Sequence, residues 1–172
     1  MTNKIKAMFT SSSTSEKLKI SCLVPSNEKV KWVPIVKCNN GTLMGLKDDG
    51  IWVVEGKNGL NLLDNEGAFI YVMVILERPI NDVRKEVKEF LDSVESEVDV
   101  NEAFPFVEII KAGLEQGSQY WAELALKWLE EMTNEIKGKL LDSLVKVSIA
   151  KWASQKIRLN AKIEIKLLSK SS

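Results

Sequence analysis

The 172-residue chain contains no histidine and only two cysteines. Without histidine, Ser–His and Cys–His nucleophile pairs are impossible, and the commonest general base is missing. Two cysteines without histidine also cannot supply the ligands of an ordinary zinc site. A turn at residues 25–28 would put Cys22 opposite a residue near Lys31 and away from Cys38. We therefore expect two packed thiols and no disulfide.

The sequence also lacks long apolar runs and an excess of either charge. No stretch approaches the ~18 apolar residues that a membrane span needs. Lys4 and Lys6 are not followed by the apolar core of a signal peptide. Basic and acidic residues balance at 24 each, which gives no long-range attraction to nucleic acid or to an anionic membrane. These absences predict a cytoplasmic protein with no membrane partner, and they disfavour a nucleic-acid partner.

Motifs for binding phosphate or metal are missing too. The chain has no P-loop, dinucleotide-binding glycine motif, EF-hand loop or C-x-x-C pair, so we expect no cofactor and no metal. Two carboxylate pairs, Asp48/Asp49 and Glu130/Glu131, fit a turn and a solvated helix face better than acid–base catalysis. The sequence therefore predicts no catalytic residues and a protein that is not an enzyme.

Alternating hydrophobicity predicts an antiparallel β-meander of about five or six strands after a polar lead-in at residues 10–16. The first strand contains Leu18, Ile20 and Cys22, and Pro34 marks the second as an edge strand or a bulged one. The run FIYVMVILE is apolar on both faces and predicts a central strand at residues 69–77. Turn signals that contain glycine separate the strands after the second, at residues 39–41, 48–50, 57–59 and 64–67.

Beyond residue 78 the apolar period becomes 3.6, which predicts four or five packed helices. Asn81 is a candidate N-cap for the first helix, and Pro105 suits the start of a short one. Ser118, after a glycine, is a candidate N-cap for a helix that ends near Met132. Two more helices are predicted at residues 134–147 and from Ser154 to 168. One face of the 118–132 helix contains Trp121, Leu124, Ala125, Trp128, Leu129 and Met132.

Strands followed by helices, without βαβ alternation, indicate an α+β fold. We predict one domain over residues 1–172, mostly β over 1–77 and mostly α over 78–172. The connection at residues 77–81 is too short for a free linker.

Charge is distributed unevenly along the chain. Residues 77–117 contain 11 acidic and 5 basic residues, a net charge of −6; residues 118–172 contain 6 acidic and 10 basic residues, a net charge of +4. Ordinary solvated helix faces would explain this pattern. A second interpretation is that an acidic helix from Asp82 to Asp99 docks a basic protein. The candidate partner-binding residues are then Asp92, Glu95, Glu97 and Asp99.

The carboxyl half resembles a known group of proteins. The segments FPFVEIIKAGLEQGSQYWAELALKWLEEM and SQKIRLNAKIEIKLL are similar to the helical tails of small uncharacterised bacterial proteins. Some of those proteins resemble immunity proteins of toxin systems. The resemblance covers residues 104–168 and implies a bacterial protein that binds and neutralises a toxin.

Three hypotheses follow for the function. The first is a non-enzymatic protein-interaction module, in the narrower form an immunity protein for a basic toxin domain. The second is a small enzyme that uses a carboxylate or a thiol in a pocket between sheet and helices. The third is a nucleic-acid binder that uses the basic last helix, residues 156–170, beside Trp152.

Overall fold

The computed structural model describes residues 17–170 and confirms the α+β fold class. The predicted lead-in at residues 10–16 lies outside this range. Five strands form one antiparallel sheet in sequential order. The strands are β1 (Lys19–Cys22), β2 (Lys29–Lys37), β3 (Leu43–Lys47), β4 (Trp52–Gly56) and β5 (Gly59–Leu62).

Helices follow the sheet in more pieces than the predicted four or five. A 3-10 helix spans Glu66–Glu77, and α-helices occupy most of the chain beyond it. The α-helices are α1 (Ile80–Ser93), α2 (Val100–Ala103), α3 (Phe106–Glu115), α4 (Gln119–Glu130), α5 (Asn134–Lys139), α6 (Leu141–Ile149) and α7 (Gln155–Lys170).

The chain divides into two compact units, one that ends at Phe104 and one that begins at Pro105. The first unit contains the sheet, the 3-10 helix, α1 and α2. The second contains α3 to α7. The single domain over 1–172 therefore stays a prediction.

The sheet curls until its first and last strands meet. Leu23 forms a parallel bridge with Leu60, and the N–H of Val24 donates to the carbonyl of Leu60 at 2.9 Å. Gly59, with φ of +139°, lies at this junction, where a Cβ would come within 2.7 Å of the Cys22 carbonyl oxygen. The curl encloses an apolar core of Leu23, Val30, Trp32, Val53 and Leu60.

Two details of the predicted strands are resolved by the pairing. β2 lies between β1 and β3, and its register shifts between Pro34 and Val36. The second strand is therefore bulged and is not an edge strand. Cys22 lies opposite Lys29, two residues from Lys31. Both cysteines are free; Cys38 is buried and Cys22 is half-buried.

The predicted central strand at residues 69–77 is wrong, because this segment belongs to the 3-10 helix. A 3-10 helix has three residues per turn, so side chains three apart share a face. The buried row Phe69, Val72 and Ile75 follows this period, whereas Ile70 and Tyr71 are exposed. The Asn65 side chain accepts from the N–H of Ala68 at 3.1 Å and caps the first turn.

In the second unit, the tryptophan-rich helix has the predicted position but a rotated buried face. It begins after Ser118. Trp121 and Leu124 are half-buried, and Leu126, which lies outside the predicted face, is buried. Phe106 packs edge-on against Trp128 with ring centroids 5.8 Å apart.

Asn81, the predicted N-cap of the first helix, lies inside α1, whose N-cap is Pro79. The helices beyond residue 133 differ from the prediction in one respect. The helix predicted at residues 134–147 is two helices, α5 and α6, which meet at Leu140. The Ser154 hydroxyl accepts from the N–H of Ile157 at 3.2 Å, so the predicted cap of the last helix is confirmed.

Candidate functional site: an exposed acidic segment

The four candidate partner-binding residues lie on a short connection and not on one helix. We call residues 92–99 the acidic segment. Asp92 is in the last turn of α1, Glu95 and Glu97 follow the helix, and Asp99 is the N-cap of α2. All four side chains are exposed. The predicted acidic helix from Asp82 to Asp99 is therefore wrong beyond Ser93.

The end of α1 is fixed by local hydrogen bonds that sequence patterning did not reveal. The Ser93 hydroxyl donates to the Phe90 carbonyl at 2.7 Å. Glu95 has a left-handed backbone with φ of +52°. The N–H of the next residue, Ser96, then donates back to the Leu91 carbonyl at 2.9 Å. This helix-ending motif usually has glycine at the left-handed position, and a glutamate there gives no sequence signal.

The opposite end of the acidic segment is held to the sheet. The Asp99 carboxylate accepts from the N–H of Asn101 at 2.8 Å. The indole N–H of Trp52 in β4 donates to the Ala103 carbonyl at 2.8 Å. The Trp52 and Phe104 rings meet edge to face with centroids 5.1 Å apart. The segment is thus a short connection between two fixed ends.

An arginine connects α1 to the strand that it packs against, β2. The Arg78 guanidinium donates to both carboxylate oxygens of Glu86, at 2.6 and 2.9 Å. It also donates to the Lys37 carbonyl at 2.7 Å, at the end of β2. Paired, fork-like contacts of this kind are the stronger ion pairs.

Three of the four acidic side chains of α1 pair with a cation, whereas three of the four acidic side chains of the acidic segment do not pair with one among the described residues. Glu89 pairs with Lys85 at 3.9 Å, and Asp92 pairs with Lys88. Within residues 17–170, no lysine or arginine nitrogen lies within 4.0 Å of a carboxylate oxygen of the three acids that follow Asp92 in the acidic segment. These three acids are Glu95, Glu97 and Asp99.

The Cys38 thiol lacks the features of a nucleophile. Burial raises the pKa of the Cys38 thiol to about 11; the Arg78 charge opposes this shift, and the Glu86 charge adds to it. A thiol with such a pKa is almost entirely protonated at neutral pH, and the thiolate is the reactive form. Cys22 is half-buried in β1.

A small cleft lies among the helices of the second unit. It is not the pocket between sheet and helices that the enzyme hypothesis expects. Its volume is about 200 Å³, and it is lined by apolar side chains, by Trp152 and by Glu115 and Lys146. Glu115 accepts from the Ser143 hydroxyl at 2.7 Å and from Lys146 at 3.1 Å. Burial alone would raise the pKa of this carboxyl, but the two donors outweigh burial and lower the pKa. Glu115 is therefore a poor general acid.

The carboxylate pair Asp48/Asp49 has a structural role. Lys47 pairs with both side chains, and Asp49 accepts from the N–H of Ile51 at 3.1 Å. These contacts stabilise the turn between β3 and β4. Within residues 17–170, no group of three or more acidic or cysteine side chains is arranged to hold a metal ion.

Comparison of the chain with protein-family models, with curated proteins and with solved structures found no match. In the part of the chain that the structure describes, no helix combines the length and the apolar character needed to cross a membrane.

Proposed function

We propose that the chain is a non-enzymatic, cytoplasmic protein-interaction module that docks a basic protein surface on its acidic segment. In the narrower form of this proposal, the chain is a bacterial immunity protein that neutralises a basic toxin domain. The observation that carries the proposal is the set of three exposed carboxylates, Glu95, Glu97 and Asp99, which have no cationic partner among the described residues.

Electrostatics supports this role. Uncompensated charge on one surface accelerates encounter with an oppositely charged partner and favours the correct orientation. The fixed ends at α1 and at Trp52 limit the freedom of the acidic segment before binding. Binding therefore has a lower entropic cost than it would have for a mobile loop.

The backbone of Glu95 provides further support. A non-glycine residue in the left-handed region costs roughly 1–2 kcal/mol, and such strain is common at functional sites. A glycine would end α1 without this cost. The glutamate carboxylate at this position is consistent with a role outside folding.

The experiment reverses the four charges together. Tagged wild type and an Asp92→Lys/Glu95→Lys/Glu97→Lys/Asp99→Lys variant are used as baits in a native-host lysate at low and moderate salt, and captured proteins are identified by mass spectrometry. We expect one stoichiometric basic protein with wild type, weakened as salt rises and absent from the variant. A control variant has the same charge reversal at four exposed acids outside the acidic segment and should retain the partner. These four acids are Glu28, Asp64, Glu135 and Asp142.

Unchanged capture by the fourfold variant would exclude the acidic segment as the docking surface.

The proposal that the chain is an immunity protein has its own test, because an immunity gene should follow a large toxin gene. Co-expression of the chain with the product of that neighbouring gene should protect cells. Protection that survives the fourfold charge reversal would contradict neutralisation through the acidic segment.

The other two hypotheses predict different results. A small enzyme should show a thermal shift with a metabolite and a thiol or carboxylate that reacts in the folded state. A nucleic-acid binder should bind DNA or RNA directly, with an affinity for the nucleic acid that falls steeply as salt rises. In the basic last helix, Lys156 is already paired with Glu123 at 2.7 Å, which reduces the charge available to a phosphate backbone.

A further inference from the structure

The last helix, α7, has an exposed apolar row beside an exposed basic row. Each row has the spacing i, i+4, i+8, and the two rows are neighbours because three residues separate them. We call the six side chains together the Leu/Lys face. The apolar row contains Leu159 (55% exposed), Ile163 (47%) and Leu167 (48%), and the basic row contains Lys162, Lys166 and Lys170, all exposed.

Folding does not require this apolar row. The inner side of α7 already buries Ile157 and Ala161 within the second unit. Scattered exposed aliphatic side chains are ordinary, but three on successive turns form a continuous apolar strip. Contiguous apolar surface next to polar residues is characteristic of protein-binding sites.

The positive charge of the Leu/Lys face is not compensated. Glu164, the one acidic residue of α7, points inward and pairs with Lys137 at 2.8 Å. Within residues 17–170, no carboxylate oxygen lies within 4.0 Å of the side-chain nitrogens of Lys162, Lys166 and Lys170.

Two parallel rows of side chains leave a groove between them. Helices pack by inserting the i, i+4 row of one into such a groove of the other. A partner helix is complementary to the Leu/Lys face if it has two neighbouring rows of side chains. One row is apolar and packs against Leu159, Ile163 and Leu167, and the other contains aspartate or glutamate and pairs with the lysines. We propose that the Leu/Lys face docks an acidic amphipathic helix of a protein partner. This face shares no residue with the acidic segment and does not depend on the function proposed for that segment.

Charge and asymmetry exclude two other occupants. A second copy of the chain docked face to face offers no row of carboxylates to these lysines, because its own face contains only leucine, isoleucine and lysine. A bilayer surface favours cations on both sides of an apolar strip, because the lipid is the same on either side. Here the basic row lies on one side only. The other side has Asn160 and two charged residues that are already paired, Lys156 and Glu164.

The test measures binding of labelled synthetic helices to the full chain by fluorescence anisotropy. The first peptide has a leucine row beside a glutamate row, and the second has lysine in place of glutamate. We expect wild type to prefer the first. We also expect Lys162→Glu/Lys166→Glu/Lys170→Glu to weaken that binding about tenfold, the sum of three exposed ion pairs, and to bind the second peptide instead. The control variant Lys127→Glu/Lys139→Glu/Lys151→Glu should behave as wild type.

A second variant tests the apolar row. Leu159→Ser/Ile163→Ser/Leu167→Ser should weaken binding of the first peptide and retain the wild-type circular dichroism spectrum, because the inner side of α7 is unchanged. The proposal is overturned if wild type binds neither peptide or binds both equally. It is also overturned if the control variant weakens binding as much as the face variants, or if the face binds phosphatidylserine vesicles but not the first peptide.

Discussion

Glu95 occupies a backbone conformation that glycine adopts without strain. We predict that Glu95→Gly stabilises the protein by about 1 kcal/mol, because it relieves the left-handed strain while preserving the helix-ending hydrogen bonds. Urea unfolding followed by tryptophan fluorescence measures the change. Glu97→Gly is the matched control, since no positive φ is recorded at this position, and it should not stabilise. If Glu95→Gly lowers the free energy of unfolding, the left-handed backbone of Glu95 is not a source of strain.

The same substitution separates stability from function at one residue. If the acidic segment docks a basic protein, Glu95→Gly should bind that protein more weakly although it folds more stably. Stronger or equal binding would contradict the proposed role of the Glu95 carboxylate.

A buried ion pair in the second unit makes another prediction at the residue scale. The Lys137 and Glu164 side chains are 10% and 9% exposed, and their charged atoms are 2.8 Å apart. Lys137→Met leaves an unpaired buried carboxylate and should cost about 3–5 kcal/mol of unfolding free energy. The double variant Lys137→Met/Glu164→Leu should recover most of that loss. A double variant as unstable as the single one would show that the pair itself stabilises the unit.

At the scale of the element, the 3-10 helix Glu66–Glu77 gives the clearest test of local structure. Ile70 and Val72 would share a face in a strand, but in the 3-10 helix Val72 is fully buried and Ile70 is 43% exposed. Val72→Ala should cost about 2 kcal/mol, from two lost methyl groups and the cavity left behind. Ile70→Ala should change stability by about 0.5 kcal/mol or less. Equal losses from both substitutions would support the strand instead.

The elements also show where sequence reasoning succeeds and where it fails. Hairpin turns were predictable because glycines such as Gly41 and Gly50 occupy positive-φ positions that few other residues adopt. The run at residues 69–77 was not, because an apolar sequence with period three contains apolar residues on both faces of a strand as well. The break at Leu140 has no strong signal, since Gly138 is only a weak interruption.

The candidate site was predicted in composition but not in shape. The acidic residues could be read from the sequence, and all four are exposed. Their position on a connection depends on the left-handed Glu95, which lacks the usual glycine. The Leu/Lys face was missed for a related reason, because hydrophobicity cannot distinguish an inner apolar row from an outer one on a helix that has both.

At the scale of the whole molecule, both units respond to acid in the same direction. Burial opposes ionisation of Asp49, but hydrogen bonds from Lys47 and from the Ile51 N–H outweigh it and lower its pKa below the ordinary 3.8. Donors from Ser143 and Lys146 likewise lower the pKa of Glu115 below 4.5. A carboxyl whose pKa is lower in the folded state adds stability above its unfolded pKa, and this stability is lost as pH falls through the folded value.

We therefore predict that the free energy of unfolding is level from about pH 7 to pH 5 and falls steeply below about pH 4. Asp49→Asn/Glu115→Gln should be less stable than wild type at pH 7 and should lose less stability on acidification. Urea unfolding at a series of pH values measures both slopes. Parallel curves for the two proteins would contradict the assignment to these carboxyls.

The meeting of the first and last strands has a consequence for solubility. The outermost strands of an open sheet present unpaired backbone groups that can template the addition of another chain and lead to fibrils. Here the Leu23–Leu60 bridge and the bond from Val24 to Leu60 join the residues that follow β1 to β5, and Lys19 of β1 pairs with Glu55 of β4 at 3.4 Å. The curl thus protects an apolar five-stranded sheet from aggregation by letting its two ends satisfy each other.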